Sequence, residues 1–266
     1  MEIALAKWLG THAVLAFALA LCVVLASVAG AWHLARHFER RLGSHPMLPQ
    51  RILLARLVAG FGIVLAAGYA FAEMSEALDV REGMGRFDVA LADTLRTSLP
   101  GNVLAAFAVV THLGDVAALT GLCLVVAGML LWIGKRSLAV LWIVAVAGNG
   151  LLNSLLKHVF ERARPMHEHG LVIEDGWSFP SGHSSGSLVA YGMLAYVVAV
   201  VVPRRWALSL RILAAALAVT VGLSRVMLQV HYASDVLAGF ASGLLWLTVC
   251  VLSNEWVRAK RRAMLT

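Results

Sequence analysis

Seven apolar runs, each about as long as a bilayer-crossing helix, leave this chain little choice of environment. They fall at about 12–35, 52–72, 115–134, 138–157, 183–202, 207–228 and 236–253. A helix needs roughly 20 mostly apolar residues to cross the hydrocarbon core. Composition agrees: 60% of the 266 residues are hydrophobic and 14% charged, with a mean hydropathy of +0.81, where a soluble domain carries ~25% charge. The apolar excess is spread along the whole length. That predicts an all-α polytopic membrane helix bundle, not a soluble domain with one anchor. The first run is too long for a signal peptide and lacks a basic start and a small-residue cleavage site, so it reads as a retained span. Cys22, Cys123 and Cys250 lie within the predicted spans and form no CxxC pair. They read as small buried apolar residues, not as a disulfide or metal site.

A net charge of +7 would suit nucleic acid, but its distribution argues against that partner and for the lipid bilayer. Arg36, Arg40, Arg41, Arg51 and Arg56 lie between spans one and two, Lys135 and Arg136 between three and four, and Arg204, Arg205 and Arg211 between five and six. Arg258, Lys260, Arg261 and Arg262 follow span seven. Most of the 22 lysines and arginines therefore share one face, which the positive-inside rule assigns to the cytoplasm. The opposite loop, 73–114, sets Glu73, Glu76, Asp79, Glu82, Asp88 and Asp93 against Arg81, Arg86 and Arg96. Within it Phe87, Leu91, Leu95 and Leu99 form one helical stripe, with Asp88, Asp93 and Arg96 expected off it. The stripe fits either an interfacial amphipathic helix or a short helix packed on the bundle. Gly239 and Gly243 form a GxxxG that permits close helix packing. No internal repeat is visible.

Three polar segments sit at the ends of these runs on the cation-poor face. Charged groups beside a membrane core cost several kcal/mol unless paired or solvated. A lone Lys157 would snorkel to the headgroups, but Asn149, Asn153 and Lys157 are spaced by four and lead to Arg164 and Pro165. That polar stripe predicts a lined cavity. Pro180-Ser181-Gly182-His183 opens the fifth span. There serine can cap, glycine allows close backbone approach, and a helix N-terminus favours an anion. In the third segment Asp235 lies four residues after His231, so on a helix the carboxylate can accept from one imidazole nitrogen and fix the tautomer. Arg225 offers a planar fork of donors suited to phosphate oxygens.

These segments match the signature of the type 2 phosphatidic acid phosphatase family, the lipid phosphate phosphatases: KxxxxxxRP from Lys157 to Pro165, PSGH from Pro180 to His183, and SRxxxxxHxxxD from Ser224 to Asp235. The resemblance spans roughly 52–254. It implies a six-span phosphatase core (51–254); outside it, hydropathy and charge set a first span with basic cytoplasmic loop (1–50) and a basic cytoplasmic tail (255–266). It further implies that His231 is the nucleophile of a phosphohistidine mechanism and that Asp235 orients it. His183 would protonate the leaving oxygen and then help activate water. Lys157, Arg164 and Arg225, with Ser181 and the Gly182 backbone, would bind phosphate oxygens. No metal or other cofactor is implied. His167 and His169 have metal-compatible spacing but lack a matched third ligand and read as a solvated loop pair.

The expected substrate is a membrane lipid phosphate met at the outer face of a bacterial cytoplasmic membrane. An isoprenyl diphosphate such as undecaprenyl diphosphate is slightly favoured. Phosphatidylglycerol phosphate, phosphatidic acid and lipid A 1-phosphate stay open. So do a phosphotransferase using the same nucleophile and a non-catalytic transporter. The motifs leave the oligomeric state open.

Overall fold

The structure, a computed structural model, describes residues 1–42, 48–76, 83–165, 172, 174–201 and 203–264. Among these it contains ten α-helices and no strand. Six are long and apolar enough to cross a membrane: α2 (Ala13–Leu42), α3 (Leu48–Glu76), α7 (Arg136–Phe160), α8 (Gly182–Val201), α9 (Ala207–Met227) and α10 (Ala233–Ala263). Between α3 and α7 lie α5 (Gly101–Thr111) and α6 (Val116–Trp132), an apolar pair bent by 42° that makes a seventh crossing if counted as one span. The run expected to begin at 115 is thus preceded by an apolar helix of its own, and Asp115 sits at the bend.

Large apolar side chains cover the outward faces of these helices. Val58 is 64% exposed, Phe61 62% and Leu124 69%. Such continuous apolar surface is stable only against lipid, and the chain is an integral membrane protein. Cys22 lies on that outward surface, correcting its expected burial: it is on α2, which packs on the bundle along one side only. Cys123 is half-buried and Cys250 buried.

α1 (Glu2–Thr11) and α4 (Gly83–Ser98) are not among the spans. They pack on each other, and Leu91 and Leu95 of α4 bury themselves against Val226, Met227, Leu228, Val230 and Val236 at the α9–α10 turn. Of the two readings of the 87–99 stripe, the packed helix is the one observed. Asp88, expected off that stripe, is only 1% exposed. Positions 88, 91 and 95 share a helix face at i, i+3 and i+7, and the carboxylate is accepted into the interior because Arg162 and Ser234 meet it there.

α8 is the central helix, packed on α7, α9 and α10. The GxxxG is used at its crossing with α10. A Cβ on Gly239 would lie 2.5 Å from the Ser181 carbonyl, and one on Gly243 3.0 Å from the Ser185 backbone. This crossing brings the start of α8 against the start of α10. The basic ends meet at the other pole: Arg56 pairs with Glu255 at 3.2 Å, Tyr196 donates to Glu255 at 2.7 Å, and Arg211 stacks 4.6 Å over Trp32.

Candidate active site

Four helix ends build the site at one pole of the bundle. α7 ends where Glu161 turns left-handed (φ 43°) and its N–H caps the Lys157 carbonyl. This turn sends Arg162 and Arg164 back over the helix ends. α8 starts under Ser181, whose hydroxyl accepts the Ser184 N–H at 3.4 Å and the Ser184 hydroxyl at 3.0 Å. Ser181 N–H in turn donates to the Asp235 carbonyl at 2.9 Å, tying the second motif to the third. The turn after α9 returns two N–H groups, of Val230 and His231, to the Arg225 carbonyl. His231 therefore precedes α10 and is not on it, while Asp235 occupies that helix's first turn, where an anion is favoured.

Arg164 Nη1 donates to His231 Nε2 at 3.1 Å. A guanidinium can only donate, so Nε2 is the unprotonated nitrogen and Nδ1 carries the proton. Nδ1 lies 3.1 Å from Ser178 Oγ, whose hydroxyl donates to Asp235 Oδ2 at 2.5 Å; the direct Nδ1–Oδ2 distance is 3.5 Å. Asp235 thus holds the ring chiefly through Ser178. Burial pushes the His231 imidazole down to about 3 against the opposing pull of Asp235, with Arg164 and Arg225 adding to the depression. The result is a neutral ring with a fixed tautomer and its Nε2 lone pair facing the cations.

His183, in the first turn of α8, sets Nε2 2.9 Å from Asp115 Oδ1 at the α5–α6 bend. Arg225 is fully buried and donates to Thr111 Oγ1 at 2.8 Å and to the Glu174 carboxylate. Glu174 also lies 3.8 Å from Arg164. Burial pushes the Glu174 carboxyl up, but Arg225, His183 and Arg164 together outweigh it and hold it below its ordinary range. Lys157 Nζ donates to the Trp177 carbonyl at 2.8 Å, and Arg164 Nε to that of Gly176 at 3.0 Å. The three cations named from the motifs therefore converge, gripping one carboxylate and one loop.

Lys157, Gly182, His183, His231 and Glu174 border a cavity of about 620 Å³. Asn149 and Asn153 line it too, and their amides hold Ser185 Oγ and the Pro180 carbonyl at 3.4 and 3.3 Å. Beyond them the walls turn apolar between α6 and α7, with Leu119, Leu124, Ala127, Ile143 and Val146. From Val116 to Ala127 the helical rise is about 16 Å, roughly half the hydrocarbon core. Arg164, Arg225 and Ser181 stand outside the cavity lining: the two arginines reach it through Glu174, and the Ser181 hydroxyl accepts from Ser184 at the start of α8. His167 and His169 lie outside the described residues. Among the described residues no cluster of three or more His, Cys, Asp or Glu is placed to hold a metal ion.

Sequence reasoning named eight residues of this site and missed its supports: Ser178, Arg162, Asp88, Asp115, Glu174 and Thr111. Arg162 and Asp115 carried a usable signal, being charges beside apolar runs. Ser178 and Thr111 carried none, because their partners come from remote segments.

Known proteins resemble this chain in sequence and fold. Residues 138–259 match the PAP2 superfamily. Phosphatidylglycerophosphatase B of Bacillus subtilis is 37% identical over 138 residues, 51% of this chain and 68% of that protein. A lipid A 1-phosphatase of Rhizobium etli is 37% identical over 122 residues, 41% of this chain and 49% of that protein, so the chain spans about half its length. The crystal structure of a transmembrane PAP2-type phosphatidylglycerolphosphate phosphatase from Bacillus subtilis superposes with a TM-score of 0.68 at 29% identity. It covers 73% of this chain and 96% of the crystallised one. With the three motifs converging on one cavity and the match extending over two thirds of a curated relative, the chain belongs to the PAP2 superfamily.

Proposed function

We propose that this protein hydrolyses lipid phosphates through a phosphohistidine on His231, taking substrate from the outer leaflet of a bacterial cytoplasmic membrane. The observation that carries the reading is the cavity itself: a cationic, histidine-bearing end continuous with an apolar trough between α6 and α7. A phosphate seats at the first and an acyl or prenyl chain lies along the second.

In the reaction, the phosphate displaces Glu174 and the loop carbonyls from Arg164, Arg225 and Lys157, and Arg164 moves from Nε2 to a phosphate oxygen. The Nε2 lone pair attacks phosphorus as the bond to the lipid oxygen breaks. His183 gives that oxygen its proton. Nδ1–H stays on the Ser178–Asp235 line, which balances the positive charge developing on the ring. His183, now neutral, takes a proton from water, whose oxygen attacks the phosphohistidine and releases orthophosphate. The three cations and the Gly182 amide offset charge on the equatorial oxygens.

The charge map supports the sidedness. Arg36, Arg56, Lys135, Arg211 and Arg258 lie at the pole opposite the site, which the positive-inside rule places in the cytoplasm. The relatives' names favour a glycerophospholipid or lipid A phosphomonoester as substrate. An isoprenyl diphosphate such as undecaprenyl diphosphate is the second reading, favoured by the outward site and the apolar walls of the cavity. The deciding experiment is phosphate release by the purified chain in detergent with EDTA, across phosphatidylglycerol phosphate, phosphatidic acid, lipid A 1-phosphate and undecaprenyl diphosphate. Release from at least one without added alcohol supports the hydrolase. Transfer only to an added alcohol supports the phosphotransferase, no turnover supports the transporter, and a strict Mg²⁺ requirement overturns the cation assignment.

A further inference from the structure

Arg162 occupies one of the unspecified positions of the first motif and does not border the cavity, yet it is densely bonded. Its Nη1 donates to Asp235 Oδ1 at 2.7 Å and to Ser234 Oγ at 2.6 Å, and its Nη2 donates to Asp88 Oδ2 at 3.0 Å. The guanidinium lies 4.4 Å over the Tyr232 ring. Asp88 arrives from α4, and its other oxygen accepts the Ser234 N–H at 3.1 Å. That N–H is one of the donors the first turn of α10 leaves without a helical acceptor, so α4 supplies the capping anion of α10. The Ser234 hydroxyl bonds the same carboxylate.

This arrangement divides the two oxygens of Asp235. Oδ1 is taken by Arg162. Oδ2 receives the Tyr232 N–H at 2.8 Å and the Ser178 hydroxyl at 2.5 Å, and faces His231. We propose that Arg162 and Asp88 are positioning residues: Asp88 holds Arg162, and Arg162 fixes the Asp235 carboxylate in the one rotation that presents Oδ2 to Ser178 and His231. By this account α4, which contributes no residue to the cavity lining, is coupled to the chemistry. Asp88, Arg162 and Asp235 are 1%, 6% and 0% exposed. Without the cation, two buried like charges remain close together and one takes up a proton. A protonated or rotated Asp235 no longer orients the nucleophile.

The proposal rests on the assignment of His231 and Asp235 above, and a double-mutant cycle separates the two. Orthophosphate release from dioctanoyl phosphatidic acid in mixed micelles is measured for the full chain and for Asp235→Asn, Arg162→Ala and the double variant. Misplacing a catalytic group by an ångström costs about 10²-fold. Arg162→Ala is expected to lower kcat by about that factor with KM unchanged, and to cost less than about 3-fold further in the Asp235→Asn background, because both act through one carboxylate. Multiplying losses, or a loss confined to KM, overturn the positioning role while leaving the reading of Asp235 intact. Unimpaired Asp235→Asn overturns that reading and this proposal with it. If Arg162→Ala does not fold, the near-isosteric Asp88→Asn takes its place. It is expected to lose about 10-fold in kcat, with the same disappearance in the Asp235→Asn background.

Discussion

His231 is a base that its surroundings keep unprotonated. Burial draws it down to about 3, so the Nε2 lone pair persists as pH falls through the ordinary histidine range. Corrected for substrate ionisation, kcat/KM on an activated aryl phosphate should therefore stay level from pH 7 to 5. An inflection near 6.5 that survives His183→Ala would contradict this. The two histidines also separate by leaving group. His231→Ala should abolish turnover of every substrate. His183→Ala should lose about 10²–10⁴-fold on a lipid phosphate but much less where the leaving group needs no proton. Equal losses on an aryl phosphate would show that the roles are not divided in this way. Both histidines were legible in the sequence because each stands in a short motif beside an apolar run. Ser178, which links His231 to Asp235, was not, since its role depends on two bonds across more than fifty positions. Asp88 was placed off the stripe because a row of large apolar residues says nothing about a carboxylate at its edge that finds an arginine.

The crossing of α8 and α10 sets the distance between the second and third motifs, and Gly239 sets the crossing. A methyl there meets the Ser181 carbonyl at 2.5 Å and Ser184 Cβ at 2.9 Å, and Ser181 is bonded to the Asp235 backbone. Gly239→Ala should cost about 1–3 kcal/mol in stability by overpacking and should also lower kcat in the folded fraction, because the two helix starts move apart. Gly62→Ala on α3, where a Cβ meets nothing within 4 Å, is the control and should change neither. Thermal unfolding in detergent alongside kinetics distinguishes these outcomes. The long helices were readable from hydropathy alone, since length and composition decide a span. The α5 helix and the bend were not: the eleven residues of α5 are too few to register as a span, and Asp115, though a visible charge, reads equally well as the end of a loop.

As a whole the molecule is polarised, with basic helix ends at one pole and the candidate site at the other. In a background lacking Cys22, Cys123 and Cys250, Asp175→Cys should react with an impermeant thiol reagent on intact cells and Lys135→Cys should not. The reverse pattern would place the chemistry in the cytoplasm. The catalytic expectations depend on one covalent event. It is tested by quenching the His183→Ala chain in alkali during reaction with an aryl phosphate and locating the added phosphoryl group by mass spectrometry. The account predicts one base-stable, acid-labile phosphoryl group on the peptide carrying His231, absent from His231→Ala. A chain that turns over lipid phosphate with no phosphoryl group on His231, or a label that persists in His231→Ala, would contradict it.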